Sequence, residues 1–350
     1  MDVLKAWNII KEFGPALGLF VNLEKCELIS SNGNCDVFED FEPEIIKISN
    51  GDMTILGSAV GSKQHCEDWV SRKLVKKLPI LLNKLINLGH SQSSFLLLLY
   101  CARFCKMVWF IRTIPSDLIS DACEKFDSSV IGCFEKLLGS GLSSDSLVQA
   151  SLGTKSGGLG LRATKSHSTA AYISSFFMSK SLLETFLNAD IKNNQLEHCI
   201  AVYNTLVFDT NQLASSSCPS SQQVLSSQID QHCFTSLFAS SNAVHQARLL
   251  ACTMPHANAW IRCLPFQQKK LSCLEWSISI KRWLGCPLFN QDHLCVACND
   301  QVMDVYGHHA SVCAVKGDRI KRHNLIRDII FDFFYAAAWA PSKEKPHLFP

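Results

Sequence analysis

Three cysteines and a histidine near the C-terminal end of the sequence have the spacing of a zinc site. Cys295 and Cys298 form a CxxC pair, and Cys313 follows His308 and His309. Thiolate and imidazole groups are the ligands that tetrahedral zinc prefers, and both histidine spacings can close a tetrahedron. We therefore predict zinc bound by Cys295, Cys298, His308 and Cys313, with His309 as the alternative fourth ligand.

The segment between the two halves of this pattern supports the prediction. Residues 299–307, NDQVMDVYG, are polar and are bounded by turn-forming residues. Such a segment has too little apolar surface to order itself by packing, so it would need the metal. The alternative interpretation is that the cysteines are small buried hydrophobic side chains and that the histidines lie on a loop.

A basic run follows the predicted zinc site. Its side chains can neutralise phosphates, and a metal-ordered backbone beside them would fix their position. The run comprises Lys316, Arg319, Lys321, Arg322, His323 and Arg327, with Asp318 and Asp328 as the acids among them. We predict that Arg319, Lys321, Arg322, His323 and Arg327 bind nucleic acid. The alternative is a solvated helix face.

The composition of the whole chain limits its class. With 350 residues and 47% hydrophobic residues the chain can form two or three domains with real cores. A net charge of +2 does not indicate a nucleic-acid binder, so any such surface must be local. The apolar run 95–102 ends at Arg103, whereas a bilayer span needs about twenty residues. An odd number of cysteines, 17, and the absence of a secretory signal predict free thiols inside the cell.

The hydrophobic periodicity predicts a mainly α-helical chain with a small α/β region at its N-terminus. We expect a helix up to Phe13, strands at 18–29 and 54–60, and a loop at 31–34. Helices should follow from His65 onward, with a kink or restart at Pro79 and a tight glycine-rich turn at 151–162. Ligand contact is the alternative interpretation of this turn, although it has neither the GxGxxG nor the GxxxxGK pattern of phosphate-binding loops. The serine-rich segment 215–227 is predicted to be a flexible linker.

Several sequence blocks, in this order, resemble the C-terminal half of the reverse transcriptases of non-LTR retroelements. The resemblance covers nearly the whole chain and depends more on block order than on any one block. The blocks are IIKEFGPALGLFVNLEKCELI, TILGSAVG, WFIRTIP, SGGLGLR with HSTAAYISS, AWIRCLP, KRWLGCPLF, CVAC, GHHASVC and DRIKRHNLIRDII. The resemblance implies the end of the palm at 1–62, a helical thumb at 63–140, a helical linker at 141–260, a zinc knuckle region at 261–315 and the start of an endonuclease-like domain at 316–350.

The same resemblance implies functional residues and partners. RNA or DNA would be the partner, no membrane would be involved, and the location would be nuclear with cytoplasmic passage. Lys25 matches the lysine thought to assist pyrophosphate departure, and the alternative is an exposed lysine at a strand end. Thumb helices would contact the duplex backbone through Arg72, Lys73, Lys76, Lys77 and Lys84, and through Arg103, Lys106 and Arg112.

Two departures from the family limit the expected chemistry. The sequence contains no YxDD motif, whose carboxylates hold Mg²⁺ in the complete polymerase, and no Pro-Asp nuclease segment. We therefore expect a fragment or decayed copy without polymerase or nuclease activity of its own. The alternatives are a stand-alone zinc-dependent nucleic-acid-binding protein derived from a retroelement and a helical interaction scaffold stapled by zinc.

Overall fold

The computed structural model describes residues 3–29, 39–48, 51–188, 193–214, 221–266, 270–315 and 318–343. The predicted loop at 31–34 lies outside these residues. The packing divides the chain into two compact units, Met1–Trp276 and Ser277–Pro350.

The chain is mainly helical, as the periodicity predicts. The α-helices are α1 (Val3–Phe13), α2 (Lys63–Val70), α3 (Leu78–Ile86), α4 (Ser91–Leu97), α5 (Val108–Thr113), α6 (Ser120–Leu138), α7 (Ser144–Ser151), α8 (Thr164–Leu187), α9 (Asn194–Asn204), α10 (Gln222–Ser240), α11 (Ala243–Thr253), α12 (Cys273–Leu284) and α13 (Asp318–Ala336). Three small two-stranded sheets accompany them, made by β1 (Glu27–Ile29) with β2 (Ile46–Ile48), β3 (Met53–Ile55) with β4 (Ser58–Val60), and β5 (His293–Leu294) with β6 (Val302–Met303).

The N-terminal region is α/β, but its strands are shorter than predicted. The prediction of a strand over 18–29 is wrong except at its end, because single 3₁₀ turns form at Pro15–Leu17 and Leu23–Lys25. Gly18 ends the first turn in a left-handed conformation, φ 77°, which an extended strand does not contain. Strand β1 pairs in parallel with β2, with Glu27 opposite Ile46.

The predicted single strand at 54–60 is a hairpin. Strands β3 and β4 pair antiparallel, with Met53 opposite Val60 and Ile55 opposite Ser58. Leu56 and Gly57 form the turn with positive φ values of 50° and 85°. Two consecutive residues with positive φ match the right-handed twist of a tight hairpin, so the chain reverses where the apolar run predicted one continuous strand.

An aromatic cluster forms the centre of the first unit. The ring of Phe95 lies 5.7 Å from that of Phe134 and 5.6 Å from that of Trp276. All three side chains are almost fully buried, and the apolar face of α6 is buried with them at Val130 and Leu137. Burial of large aromatic side chains is a major contribution to core stability, so this cluster anchors the helices that surround it.

A second core joins α8, α9 and α10. Leu196, Tyr203, Leu225 and Ile229 are buried there against α8. Helix α10 begins where the sequence predicted a linker, and the prediction is wrong for residues 222–227. The Ser221 hydroxyl accepts a hydrogen bond from the Val224 amide at 3.3 Å, so a serine of the polar run caps a helix instead. Residues 215–220 of that run lie outside the described residues.

The segment Ser91–Thr113 is long and apolar enough to cross a membrane by length and composition alone. It is not one regular helix. A π-helical turn spans Leu98–Ala102, and Arg103 then leaves helical geometry with φ −107° and ψ −137°. Phe95, Leu98, Met107 and Ile111 of this segment are buried within the protein. A buried core helix can have the same length and apolar composition as a membrane span.

Candidate metal centre

The first half of the candidate metal centre is a short hairpin that carries the CxxC pair. Strands β5 and β6 pair antiparallel, with His293 opposite Met303. The Cys295 amide donates to the Gln301 carbonyl at 2.9 Å, and the Asn299 amide donates to the Cys295 carbonyl at 2.7 Å. Asn299 has φ 57°, a left-handed conformation that asparagine tolerates better than most residues, so the chain can fold back directly after Cys298.

The second half is a tight turn followed by one 3₁₀ turn, His309–Ser311. Gly307 enters it with φ 71°, and its amide donates to the Asp304 carbonyl at 2.9 Å. A Cβ atom at this position would approach the Leu288 side chain to 3.1 Å, so glycine suits both the conformation and the space. The Cys313 amide then donates to the His309 carbonyl at 2.8 Å, which returns the third cysteine to the hairpin.

These two halves bring four ligand atoms together. The Sγ atoms of Cys295, Cys298 and Cys313 and a ring nitrogen of His309 all lie within 4.8 Å of one another. Cys298 Sγ is 3.3 Å from His309 Nε2, and Cys295 Sγ is 4.0 Å from Cys313 Sγ. Tetrahedral zinc with Zn–S bonds of about 2.3 Å separates its sulfur ligands by about 3.8 Å. The cluster can therefore hold a metal ion, and its size and donor set fit zinc.

The backbone around the CxxC pair favours thiolates. The amides of Cys298 and Ala297 donate towards Cys295, and this lowers the pKa of the Cys295 thiol. The amides of Gln301 and Asp300 lower the pKa of Cys298 in the same way. The Val315 amide also favours a thiolate at Cys313, but desolvation and the neighbouring Cys295 outweigh it and raise the pKa of Cys313. Three adjacent thiolates repel each other, and a bound cation would relieve this repulsion.

The structure selects His309 over His308, which stood first in the sequence prediction. His308 points to Asp304, whose carboxylate accepts the His308 amide at 2.7 Å and lies 2.5 Å from His308 Nδ1. His308 therefore lies outside the cluster, and its ring hydrogen-bonds to Asp304 and not to a ligand. Sequence reasoning missed Asp304, although its spacing of four residues from His308 is a detectable pattern.

The basic residues of α13 do different things. Arg322 donates through Nη2 to the Ser311 carbonyl at 2.6 Å, next to the metal cluster. Arg327 contacts the Asp328 carboxylate at 3.0 Å, and Lys343 approaches the same oxygen to 3.1 Å, so the two cations share one carboxylate. Arg319, Lys321 and His323 are exposed to solvent. Of the predicted group, Arg319 is the cation most available for a phosphate, and Arg322 has a structural contact as well.

The basic residues after α2 remain on the surface. Arg72, Lys73, Lys76 and Lys77 are exposed, and Ser71–Val75 forms a π-helical turn, as does Leu98–Ala102. The Lys73 ammonium lies 4.5 Å from the centre of the Trp69 ring, with the Arg72 guanidinium 5.6 Å away. Lys84 on α3 is also exposed. Exposed cations beside an aromatic ring are compatible with backbone contacts to nucleic acid.

The second group of predicted duplex contacts, Arg103, Lys106 and Arg112, is not exposed as a whole. Arg112 donates to the Gln222 side chain at 2.8 Å, and Arg103 donates to the carbonyls of Leu99 and Gly160. Lys106 alone of the three is exposed. Arg103 lies at a break in helical geometry, so these three residues do not share one regular helix.

Lys25 is exposed at the end of the Leu23–Lys25 3₁₀ turn. Its backbone amide donates to the Asn22 carbonyl at 3.1 Å. The turn replaces the strand end on which the sequence placed it, and the proposed role in pyrophosphate departure remains a prediction.

Comparisons of the chain with protein-family models, with curated proteins and with solved structures found no match.

Proposed function

We propose that this chain binds RNA or DNA as the thumb, linker and zinc-knuckle part of a non-LTR retroelement reverse transcriptase. The observation that carries the proposal is the cluster of Cys295, Cys298, His309 and Cys313, whose ligand atoms lie within 4.8 Å of one another. The order of the sequence blocks that resemble this family supports it. The sequence has no YxDD motif, so binding is the function proposed for these residues.

The cluster supports nucleic-acid binding because it would position the basic side chains of α13. A zinc ion would hold the turn 304–313 against the β5–β6 hairpin, and Arg322 joins α13 to that turn through the Ser311 carbonyl. The exposed cations Arg319 and Lys321 begin the same helix. Phosphate contacts of this kind supply affinity without sequence readout.

The test is binding of labelled single-stranded RNA and duplex DNA to the zinc-loaded chain across a series of salt concentrations. We expect log K to fall with log salt at roughly −0.7 per phosphate contact for a single strand and −0.9 for a duplex. Cys298→Ser should lose zinc and weaken binding, and Cys101→Ser is the matched control, because Cys101 is an exposed free thiol outside the cluster.

The outcome separates the proposal from an interaction scaffold. A scaffold would lose stability on zinc removal and yet show no affinity for either nucleic acid, which would refute the proposed function. Equal binding by the parent and Cys298→Ser proteins would refute the role of the metal centre in it.

A further inference from the structure

A basic pocket lies in the first unit, and its described lining includes none of the metal-centre residues. Its volume is about 440 Å³. Four cationic side chains line it, Arg103, Lys155, Arg162 and Arg262, and Asp230 is the carboxylate among the described lining residues. For a chain whose net charge is only +2, this is a strong local concentration of positive charge.

One wall of the pocket is the glycine-rich turn, and its backbone is fixed by hydrogen bonds. The Gly160 amide donates to the Leu152 carbonyl at 2.8 Å, and the Leu161 amide donates to the Ala150 carbonyl at 3.0 Å. A Cβ atom at Gly158 would lie 2.1 Å from the Leu152 carbonyl oxygen, so a side chain cannot be accommodated there. The turn therefore places Lys155 and Arg162 at defined positions on the pocket.

Arg103 is half-buried where it lines the pocket and has no carboxylate partner among the residues described. Its Nε donates to the Leu99 carbonyl at 2.6 Å, and Nη1 donates to the Gly160 carbonyl. Burial, together with the nearby charges of Arg162 and Arg262, lowers the pKa of Arg103 to about 10. The arginines thus repel each other, and an anion between them would lower the electrostatic energy.

Asp230 neutralises only part of this charge. Its carboxylate lies 2.5 Å from Arg162 Nη2, and the Arg162 Nε atom is buried without a hydrogen-bond partner in the described structure. Lys155 and Arg262 are exposed, and neither forms an ion pair with another described residue. With one carboxylate against four cations, the described lining keeps an excess of three positive charges.

We propose that this pocket binds a phosphate group between Arg103, Arg262 and Lys155, with Arg162 as a fixed donor at its edge. Guanidinium groups match the planar pairs of phosphate oxygens, and several converging donors favour a multiply charged anion over a single carboxylate. Phe104 and Val108 add an apolar wall that a base or sugar can contact. This site is independent of the metal centre and goes beyond the function proposed above.

The experiment measures binding of pyrophosphate to the full chain by calorimetry. The variants are Arg262→Ala and Lys155→Ala, each of which removes an exposed cation without breaking an ion pair of the described residues. The matched control is Lys136→Ala, an exposed cation on α6 that does not line the pocket. We expect affinity to fall at least ten-fold in each pocket variant and to be unchanged in the control.

A second arm identifies the source of the phosphate. Competition of pyrophosphate with a labelled single-stranded RNA, with the same loss in Arg262→Ala, would assign the site to a nucleic-acid backbone. Pyrophosphate and adenosine diphosphate binding that the RNA does not displace would assign it to free nucleotides.

No pyrophosphate binding, or equal affinity in all four proteins, would overturn the proposal. Zinc removal or Cys298→Ser should leave pyrophosphate binding intact. Failure of this site is therefore distinguishable from failure of the proposed function, which depends on the metal centre.

Discussion

The Nε2 atom of His309 lies 3.3 Å from the Sγ atom of Cys298, whereas the ring of its neighbour His308 is held by Asp304. His309→Ala should therefore remove a metal ligand, and we expect zinc affinity to fall by at least about 100-fold, since even residues that only support a ligand contribute about 10 to 100-fold. A chromophoric chelator competition measures this change directly.

His308→Ala is the matched control for this prediction. It removes an imidazole from the adjacent position but leaves the four clustered ligands in place, so zinc should remain bound with an affinity within about 10-fold of the parent. Loss of zinc in this variant with retention in His309→Ala would show that the ligands are assigned the wrong way round.

Metal removal should loosen the segment around the cluster and not the first unit. The hairpin and turn from 293 to 313 contain few buried apolar side chains, with Cys295 and Met303 as the buried ones among the residues described there. Chelation should lower the local free energy of opening by several kcal/mol, because metal binding supplies the folding energy of such small sites. Hydrogen exchange of the Cys295 and Cys313 amides measures it, and unchanged protection would contradict a structural metal.

The sequence predicted elements well where one local pattern decides the structure. Pro79 restarts a helix at α3, and the periodic apolar face of α6 is the buried face. The cysteine spacing predicted the cluster as well, because a CxxC loop and a short turn bring ligands together over few residues. The choice between His308 and His309 depended on Asp304, so spacing alone could not make it.

The pocket on the first unit could not be predicted in this way. Arg103, Arg162 and Arg262 are far apart in the sequence and line one pocket only because the glycine-rich turn, α10 and the 3₁₀ turn Ala259–Arg262 pack together. The family resemblance implied a duplex-backbone contact for Arg103, whereas its side chain donates to the Gly160 carbonyl within the protein. Hydrophobic periodicity describes one helix or strand at a time. It therefore cannot predict which charged side chains from distant parts of the chain will meet.

Breaking the ion pair of Arg162 and Asp230 should destabilise the protein strongly, because one buried charge would remain without its partner. The Asp230 side chain is 5% exposed, and Arg162→Ala would leave this carboxylate buried without its cation. We expect a loss of about 3 kcal/mol in the free energy of unfolding by urea. The exposed pair Lys165 and Glu124 is the control, and Glu124→Gln should not change stability measurably.

The double variant Arg162→Met with Asp230→Leu makes this prediction sharper. If removal of Arg162 is costly because the Asp230 carboxylate stays buried without its cation, the double variant should lose less stability than Arg162→Met and Asp230→Leu added together. Strict additivity would contradict that explanation.

His167 should make the first unit sensitive to mild acid. Burial, reinforced by the charge of Arg162, lowers the pKa of His167 to about 3. Asp230 lies 3.6 Å from the ring and is also paired with Arg162, and burial of the ring remains the largest influence on the pKa of His167. An unfolded histidine binds a proton near pH 6.5, so stability is complete above that pH and falls as the pH drops towards 3.

Between pH 7 and pH 5.5, protonation of His167 in the unfolded chain should lower the free energy of unfolding by about 1 kcal/mol. Urea unfolding of the parent and of His167→Gln at both pH values measures it, and the variant should lose this part of the pH dependence. His198→Gln is the control, because His198 is exposed on α9. An identical pH dependence in the parent and His167→Gln proteins would show that the histidine is not held neutral by burial.

Arg322 and Arg319 lie three residues apart on α13, but replacing them should have different effects on zinc affinity and on nucleic-acid affinity. Arg322 donates to the Ser311 carbonyl at 2.6 Å, whereas Arg319 is exposed and has no hydrogen bond within the described part of the chain. Arg322→Ala should therefore lower both zinc affinity and nucleic-acid affinity, with a stability loss of about 1 kcal/mol for the hydrogen bond. Arg319→Ala should reduce only nucleic-acid affinity and the slope of its salt dependence, by roughly one phosphate contact. Chelator competition and salt titrations on both variants separate the two roles, and equal effects on zinc would refute the structural contact of Arg322.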